Sequence, residues 1–274
     1  MARPGFFLTI PLLFYMKRLG GILNIQPDNQ EDKNMDDTNV KTALITGASR
    51  GLGLALAKAM ADREWRLIID ARGRQELEAA RQTLSLKTQV KAIAGDISDP
   101  QHRLALAEVA QDLGGIDVVV NNASILGPSP QPELMDYPLE RLEEVFQVNV
   151  IAPLGVLQAM RNTLKPGARI LNITSDAGIE AYEGWGGYGA SKAALEQLSA
   201  VMAAENPSLR IYWVDPGDMR TRMHQEAYPG EDISDRPLPE TSLPGLFPLI
   251  EGDLPSGRYQ ARTILLEPSQ ERSG

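Results

Sequence analysis

The sequence predicts an α/β fold: a doubly wound parallel sheet of about seven strands, with helices on both faces. Three observations predict it. Short apolar runs alternate with helix-patterned segments from Val40 to Glu267. The runs are near-continuous in apolar character, as strands buried on both faces are. No repeat and no Pro/Ser-rich linker interrupts residues 40–267, so they read as one domain of Rossmann type.

Taken in order, "KTALITG" (Lys41–Gly47) reads as a buried strand ending in glycine, and "GLALAKAMAD" (Gly53–Asp62) has helical spacing. "RLIID" (Arg66–Asp70) is a strand and "RQELEAARQTL" (Arg74–Leu84) a helix. "QVKAIAGD" (Gln89–Asp96) is a strand, followed by a helix over Pro100–Leu113 with proline in its first turn. "IDVVVNNA" (Ile116–Ala123) is the next strand. Pro138–Leu164 reads as one long helix bent by Pro153. "ARILNITS" (Ala168–Ser175) is a strand, Gly189–Glu205 a helix and "LRIYWVDPG" (Leu209–Gly217) a strand. "GRYQARTILLE" (Gly257–Glu267) is expected to be the last strand.

Composition removes several chemistries. There is no cysteine, which excludes disulfides, thiolate nucleophiles and Cys-based zinc sites. The two histidines, His102 and His224, lie near no other plausible catalytic residue in the sequence, and His102 reads as a surface helix residue. No metal site is expected. A net charge of −9 argues against nonspecific nucleic-acid binding.

At the N-terminus, "FFLTIPLLFY" (Phe6–Tyr15) is too short to span a bilayer. Lys17 and Arg18 follow it, no A-x-A cleavage pattern appears, and a polar, patternless stretch comes next. The working protein is expected to start near Met35. Residues 1–34 then form an upstream extension or disordered tail, with a weak membrane-associating segment as the alternative. The domain is bounded by residues 1–39 and by a tail over 268–274. No stable membrane insertion is expected, and the expected location is the cytoplasm.

Ligands of doubly wound sheets sit at the C-terminal ends of the strands, and the unusual residues of this chain follow strands. "TGASRGLG" (Thr46–Gly53) follows the first strand and opens the first helix. Glycines there permit a tight turn and let backbone N–H groups approach a pyrophosphate at a helix N-terminus. No lysine follows as in a P-loop, so an NTPase is disfavoured.

"TGASRGLG", "NNAS" (Asn121–Ser124), "ITS" (Ile173–Ser175), "YGASK" (Tyr188–Lys192) and "DPG" (Asp215–Gly217), in this order and spacing, resemble the short-chain dehydrogenase/reductase family in its compact single-domain branch. The likeness covers residues 40 to about 267. It implies NAD(P)(H) binding and interconversion of an alcohol and a carbonyl. It implies cofactor contacts from Gly47, Ser49, Arg50, Gly51, Leu52 and Gly53, from Arg72, from Asp96 and Ile97, and from Asn122 and Ala123. Tyr188, Lys192, Pro216, Gly217 and Thr221 complete that set. Ser124 stands where the family usually has glycine, which could narrow the site near the nicotinamide.

An acidic residue about 20 positions beyond the glycines selects NAD by binding the ribose 2′-OH. Asp70 ends the second strand near that place, but the family's acid usually matches Ala71, and a basic residue matching Arg72 accompanies NADP. Arg50 and Arg72 suit a 2′-phosphate by charge and fork geometry, whereas Asp70 would repel one if it faced the pocket. NADP(H) is favoured over NAD(H). Of Arg72 and Arg74, one is expected to be a solvated loop residue.

Tyr188 and Lys192 are four residues apart and share a helix face. At roughly 4 Å and an effective dielectric of about 20, an ammonium favours a phenolate by about 4 kcal/mol. That is worth up to about three pKa units, less what desolvation takes back. The small residues between the two would let a nicotinamide ribose lie close. Ser175 could hydrogen-bond a substrate oxygen at the strand end. The resemblance implies that Asn149 holds a water contacting Lys192, completing a relay. The catalytic set is thus Asn149, Ser175, Tyr188 and Lys192, acting on a small carbonyl or alcohol substrate. Substrate walls are expected from Ser124–Tyr137, Asp176–Trp185 and Asp218–Pro237, the last as a mobile lid. Family members commonly form dimers or tetramers through the helices matching Pro138–Leu164 and Gly189–Glu205. One rival is a non-catalytic dinucleotide sensor on the same fold, which has no need of all four catalytic residues. Another is a sugar-nucleotide epimerase, which would need a longer C-terminal domain.

Overall fold

Seven strands build the sheet: β1 (Thr42–Ile45), β2 (Arg66–Ala71), β3 (Val90–Ala94), β4 (Ile116–Asn121), β5 (Leu164–Ile173), β6 (Arg210–Asp215) and β7 (Gly257–Gln260). The helices are α1 (Gly51–Ala61), α2 (Arg74–Leu84), α3 (Pro100–Asp112), α4 (Leu139–Phe146), α5 (Ala152–Met160), α6 (Gly186–Glu205), α7 (Arg222–Ala227) and α8 (Leu243–Glu251). This is a computed structural model, and it describes residues 40–264. The expected N-terminal extension and C-terminal tail lie outside the described residues.

The strand order is β3-β2-β1-β4-β5-β6-β7, with every pairing parallel. Side chains alternate across each strand, so each strand feeds two cores. Ala43 and Ile45 of β1, Leu67 and Ile69 of β2, and Val118 and Val120 of β4 pack with α1, α2 and α8. Leu44, Ile68 and Val119 pack on the opposite face with α3 and α5. Burying each such Leu, Ile or Val contributes about 1.5–3 kcal/mol. The strand order reverses between β1 and β4, which opens the crevice where such sheets take their ligands.

Three expectations are corrected, and one unassigned stretch gains a helix. The long helix over Pro138–Leu164 is two helices, α4 and α5, joined by a wide π turn over Gln147–Ile151. Pro153 lies in the first turn of α5 and has no N–H for the Asn149 carbonyl four residues earlier. β7 ends at Gln260, and residues 261–263 turn away. The proline-rich stretch before β7, unassigned from sequence, holds α8. Pro244 there occupies a first-turn position, and burial of Leu246, Leu249 and Ile250 outweighs the cost of Pro248 inside the helix. Finally, His102 is buried, not on the surface.

No helix among the described residues is long and apolar enough to cross a membrane.

Candidate active site

The loop between β1 and α1 is shaped by close approach. Gly47 and Gly51 have φ of +67° and +57°, a region that favours glycine. A Cβ on Gly53 would lie 2.6 Å from both Asn122 Nδ2 and the Gly47 carbonyl oxygen. Asn122 Nδ2 donates to the Thr46 carbonyl at 2.8 Å, and the Thr46 hydroxyl oxygen accepts from the N–H groups of Asn122 and Ala123 at 3.0 Å. The "NNAS" segment thus braces the glycine loop across the β1–β4 crevice. No side chain caps α1, and its first turn carries no acid, so its N–H groups are available to an anion. This donor set and the glycine cradle fit a dinucleotide pyrophosphate.

The loop is held from below by Asp70. Its Oδ1 accepts the Gly47 N–H at 2.9 Å, and its Oδ2 faces His102 Nε2 at 3.0 Å. Asp70 is 1% exposed and His102 8%. Arg72 lines the cleft, whereas Arg74 starts α2 outside it. After β3, Asp96 accepts from the Ser98 N–H and hydroxyl at 2.8 and 2.7 Å. Burial pushes the Asp96 carboxyl up, but those bonds and the nearby Arg72 guanidinium bring it below its ordinary value. Asp99 caps α3, accepting from the Gln101 N–H at 2.9 Å.

A cleft of about 570 Å3 is lined by Gly47, Ser49, Arg50, Gly51 and Leu52, by Arg72, Asp96 and Ile97, and by Asn122 and Ala123. Ser175, Tyr188, Lys192, Pro216, Gly217 and Thr221 line the same cleft. Gly53 and Asn149 stand behind its wall. Thr221 caps α7, accepting from the His224 N–H at 3.2 Å, and its methyl faces Gly51.

Ser175 follows β5 and donates its hydroxyl to Asp176 Oδ1 at 2.9 Å. Tyr188 and Lys192 are buried on α6. Lys192 Nζ donates to the Ile173 carbonyl at 2.8 Å and lies 5.4 Å from the centre of the Tyr188 ring. Burial pushes the Lys192 ammonium down to about 8, against the opposing pull of Glu196. Burial, with the charges of Asp215 and Asp176, pushes the Tyr188 phenol up, while hydrogen bonding from Ser175 and Ser124 works the other way. The ammonium-lowered phenol expected from the sequence is therefore reversed here: desolvation exceeds any help from Lys192, whose Nζ is turned to a backbone carbonyl.

The Asn149 side chain is fully used. Its Oδ1 accepts from the Ser124 hydroxyl at 3.0 Å and the Ile125 N–H at 2.9 Å. Its Nδ2 donates to the Ile125 carbonyl at 2.9 Å and the Ser191 hydroxyl at 3.0 Å. It ties the loop after β4 to α6. Ser124, the departure from the glycine pattern, joins this network. The small residues of α6 are explained by packing: Gly189 lies against the Ala177 carbonyl and Gly187 against the Tyr137 ring.

The short chain dehydrogenase family matches the chain over residues 41–232. The chain belongs to this family. It is 34% identical over 197 residues to 1-deoxy-11-beta-hydroxypentalenate dehydrogenase of Streptomyces arenae, covering 68% of this chain and 70% of that one. It is 33% identical over 188 residues to galactitol 2-dehydrogenase of Agrobacterium fabrum, covering 65% and 70%. Among solved structures it resembles the oxidoreductase yciK from E. coli, with a TM-score of 0.76, 27% identity, and 81% and 95% of the two chains covered. It also resembles an alcohol dehydrogenase from Thermococcus sibiricus complexed with 5-hydroxy-NADP, with a TM-score of 0.72, 28% identity, and 84% and 99% covered. As a short-chain dehydrogenase it is an oxidoreductase on a fold that binds a nicotinamide dinucleotide.

Against this family background, two features were not read from the sequence. One is the Asp70–His102 pair. Another is a buried network behind Ser175 and Lys192: Glu196 accepts from the Thr174 hydroxyl at 2.8 Å and from Arg258 Nε at 3.1 Å, and Arg258 reaches the Ser175 carbonyl at 3.4 Å. The spacing of Glu196, one turn beyond Lys192, was its only local signal. An aromatic wall forms within the expected Asp176–Trp185 segment. Trp185 lines the cleft and meets the Tyr188 ring edge-to-face at 5.8 Å, whereas Tyr182 is 46% exposed and outside the cleft. The expected lid segment contributes α7, with Met223 and Ala227 packed toward Leu126 and Tyr188.

Proposed function

We propose that this short-chain dehydrogenase transfers a hydride between NADP(H) and a carbonyl/secondary-alcohol pair, with Tyr188 as general acid and base. The observation that carries this reading is the single cleft that Ser175, Tyr188 and Lys192 share with the glycine loop and Thr221. The bound nicotinamide supplies the hydride. Tyr188 gives its proton to the carbonyl oxygen in reduction; a buried phenol with a raised pKa is protonated at neutral pH and suited to that role. Ser175 polarises the carbonyl by turning its hydroxyl from Asp176 to the substrate oxygen. Lys192, freed from the Ile173 carbonyl, holds the nicotinamide ribose. The Asn149 carbonyl, which Pro153 leaves without its helical partner, holds the relay water. Gly47, Ser49, Gly51 and Leu52 with α1 receive the pyrophosphate, Asp96 and Ile97 the adenine, and Asn122, Ala123, Pro216, Gly217 and Thr221 the nicotinamide half.

NADP(H) is favoured because Arg50 and Arg72 line the cleft, and Asp70, which also lines it, has both carboxylate oxygens engaged by the Gly47 N–H and His102. Leu139, Ile151 and Val201 are exposed on α4, the π turn and α6, which supports assembly as a homodimer or homotetramer. A panel of ketones, aldehydes and secondary alcohols, run with NADPH and NADH while following absorbance of the reduced cofactor, tests the reading. Turnover with preference for NADPH is expected. Tight dinucleotide binding without turnover of any panel member would overturn it in favour of a sensor.

A further inference from the structure

Beside the cofactor site lies a buried pair that the reaction itself does not use. Asp70 is the penultimate residue of β2, one before Ala71 and two before Arg72. Adjacent strand residues point to opposite faces. Ala71 packs with the α1–α2 core, while Ile68, on the same face as Asp70, packs with α3. Asp70 therefore points toward α3, where His102 meets it 3.0 Å away. A carboxylate only accepts, so His102 Nε2 carries the proton between them. The imidazole also fills the space beside Gly95, where any Cβ would collide with its ring. On its other oxygen Asp70 receives the Gly47 N–H, and its main-chain carbonyl receives the Ala48 N–H at 2.9 Å. The only negative side chain at the end of β2 is thus bound on both oxygens.

We infer that His102 is a positioning residue for dinucleotide choice: by holding Asp70 against α3 it keeps that carboxylate from opposing a 2′-phosphate at Arg72 and Arg50. A chain with an acid this close to the adenosine ribose discriminates against NADP(H) unless the acid is turned away and its charge offset by a donor. His102 supplies both from outside the cleft. The role rests on the NADP(H) reading above, but its effect on the ratio of the two affinities does not depend on which dinucleotide the unaltered protein prefers.

The test is a titration of NADP+, NAD+, 2′,5′-ADP and 5′-AMP against the unaltered full chain, His102→Leu, His102→Gln, Asp70→Asn and His102→Leu/Asp70→Asn. In His102→Leu the ratio of NADP+ to NAD+ affinity should fall by about tenfold as an uncompensated charge faces the phosphate. The same fall should appear for 2′,5′-ADP relative to 5′-AMP. His102→Gln, which retains a donor, should keep most of the ratio. Asp70→Asn keeps an acceptor for Gly47 and removes the charge, so it should hold or raise the ratio and restore it in the double variant. A purely structural role for His102 would weaken both dinucleotides alike and leave the ratio unchanged, which would overturn the inference. If His102→Leu fails to fold, Asp70→Asn decides: a fall in its ratio would equally overturn it. Preference of the unaltered protein for NAD+ would sink the NADP(H) reading, while a ratio that still moves in His102→Leu would leave the role of His102 standing.

Discussion

Tyr188 and Lys192 show how far residue types at a given spacing carry and where they stop. Their shared helix face was legible, since a separation of four residues fixes it. The balance of their energies was not, because desolvation depends on walls supplied by distant elements. Lys192 sits at about 8 in the folded chain, against about 10.4 when unfolded. Between these values the unfolded chain holds the extra proton, so stability rises with pH across that window, and the penalty is full below it. Denaturant midpoints measured on either side should show this rise, and Lys192→Met should flatten it. In the free enzyme, kcat/KM for carbonyl reduction should fall above pH of about 8 as the ammonium is lost. A descending limb found only near the ordinary phenol value would contradict this assignment. Gly53 offers a simpler case. A methyl there meets Asn122 Nδ2 and the Gly47 carbonyl at 2.6 Å, so Gly53→Ala should cost about 1–3 kcal/mol of stability. It should also weaken dinucleotide binding, as read by thermal melting with and without NADP+.

At the scale of elements, the strands and the first three helices follow the sequence pattern closely because strong apolar runs and turn residues coincide. The helix expected over Pro138–Leu164 did not survive, and the reason is physical. Pro153 removes an N–H, and the chain widens into a π turn that brings Asn149 inward, where its amide satisfies both main-chain groups of Ile125. A proline in the sequence announces a bend, but not that the turn before it will widen. Asn149→Ala would leave the Ile125 N–H and carbonyl without these partners, at about 2–4 kcal/mol. Urea unfolding should report that loss, with turnover falling further than stability alone explains. His102 was placed on the surface for a related reason: "PQHRLALAEV" carries polar residues on all sides, so helical periodicity could not tell that this imidazole faces a buried carboxylate on β2.

At the scale of the molecule, the glycine loop, the Asn121–Ser124 segment and Ser175 were legible because each is local and follows a strand, and the parallel order then gathers those strand ends at one edge, where α6 brings Tyr188 and Lys192. What joins them was invisible, because it runs between residues far apart in sequence. Arg258 on the last strand reaches Glu196, behind Lys192, and the carbonyl of Ser175. Arg258→Met would strand the largely buried Glu196 carboxylate, costing about 3–5 kcal/mol as broken buried pairs do. Chemical denaturation should show that loss, and Glu196→Gln combined with it should recover a substantial part. The central claim is that the cleft performs proton-coupled hydride transfer through Tyr188. The most direct measurement is reduction of a carbonyl panel with NADPH by the unaltered protein and by Tyr188→Phe, with NADP+ binding titrated on the same preparations. Loss of turnover by at least about 100-fold, with cofactor affinity retained, is the predicted result; a Tyr188→Phe variant that keeps its rate would contradict it.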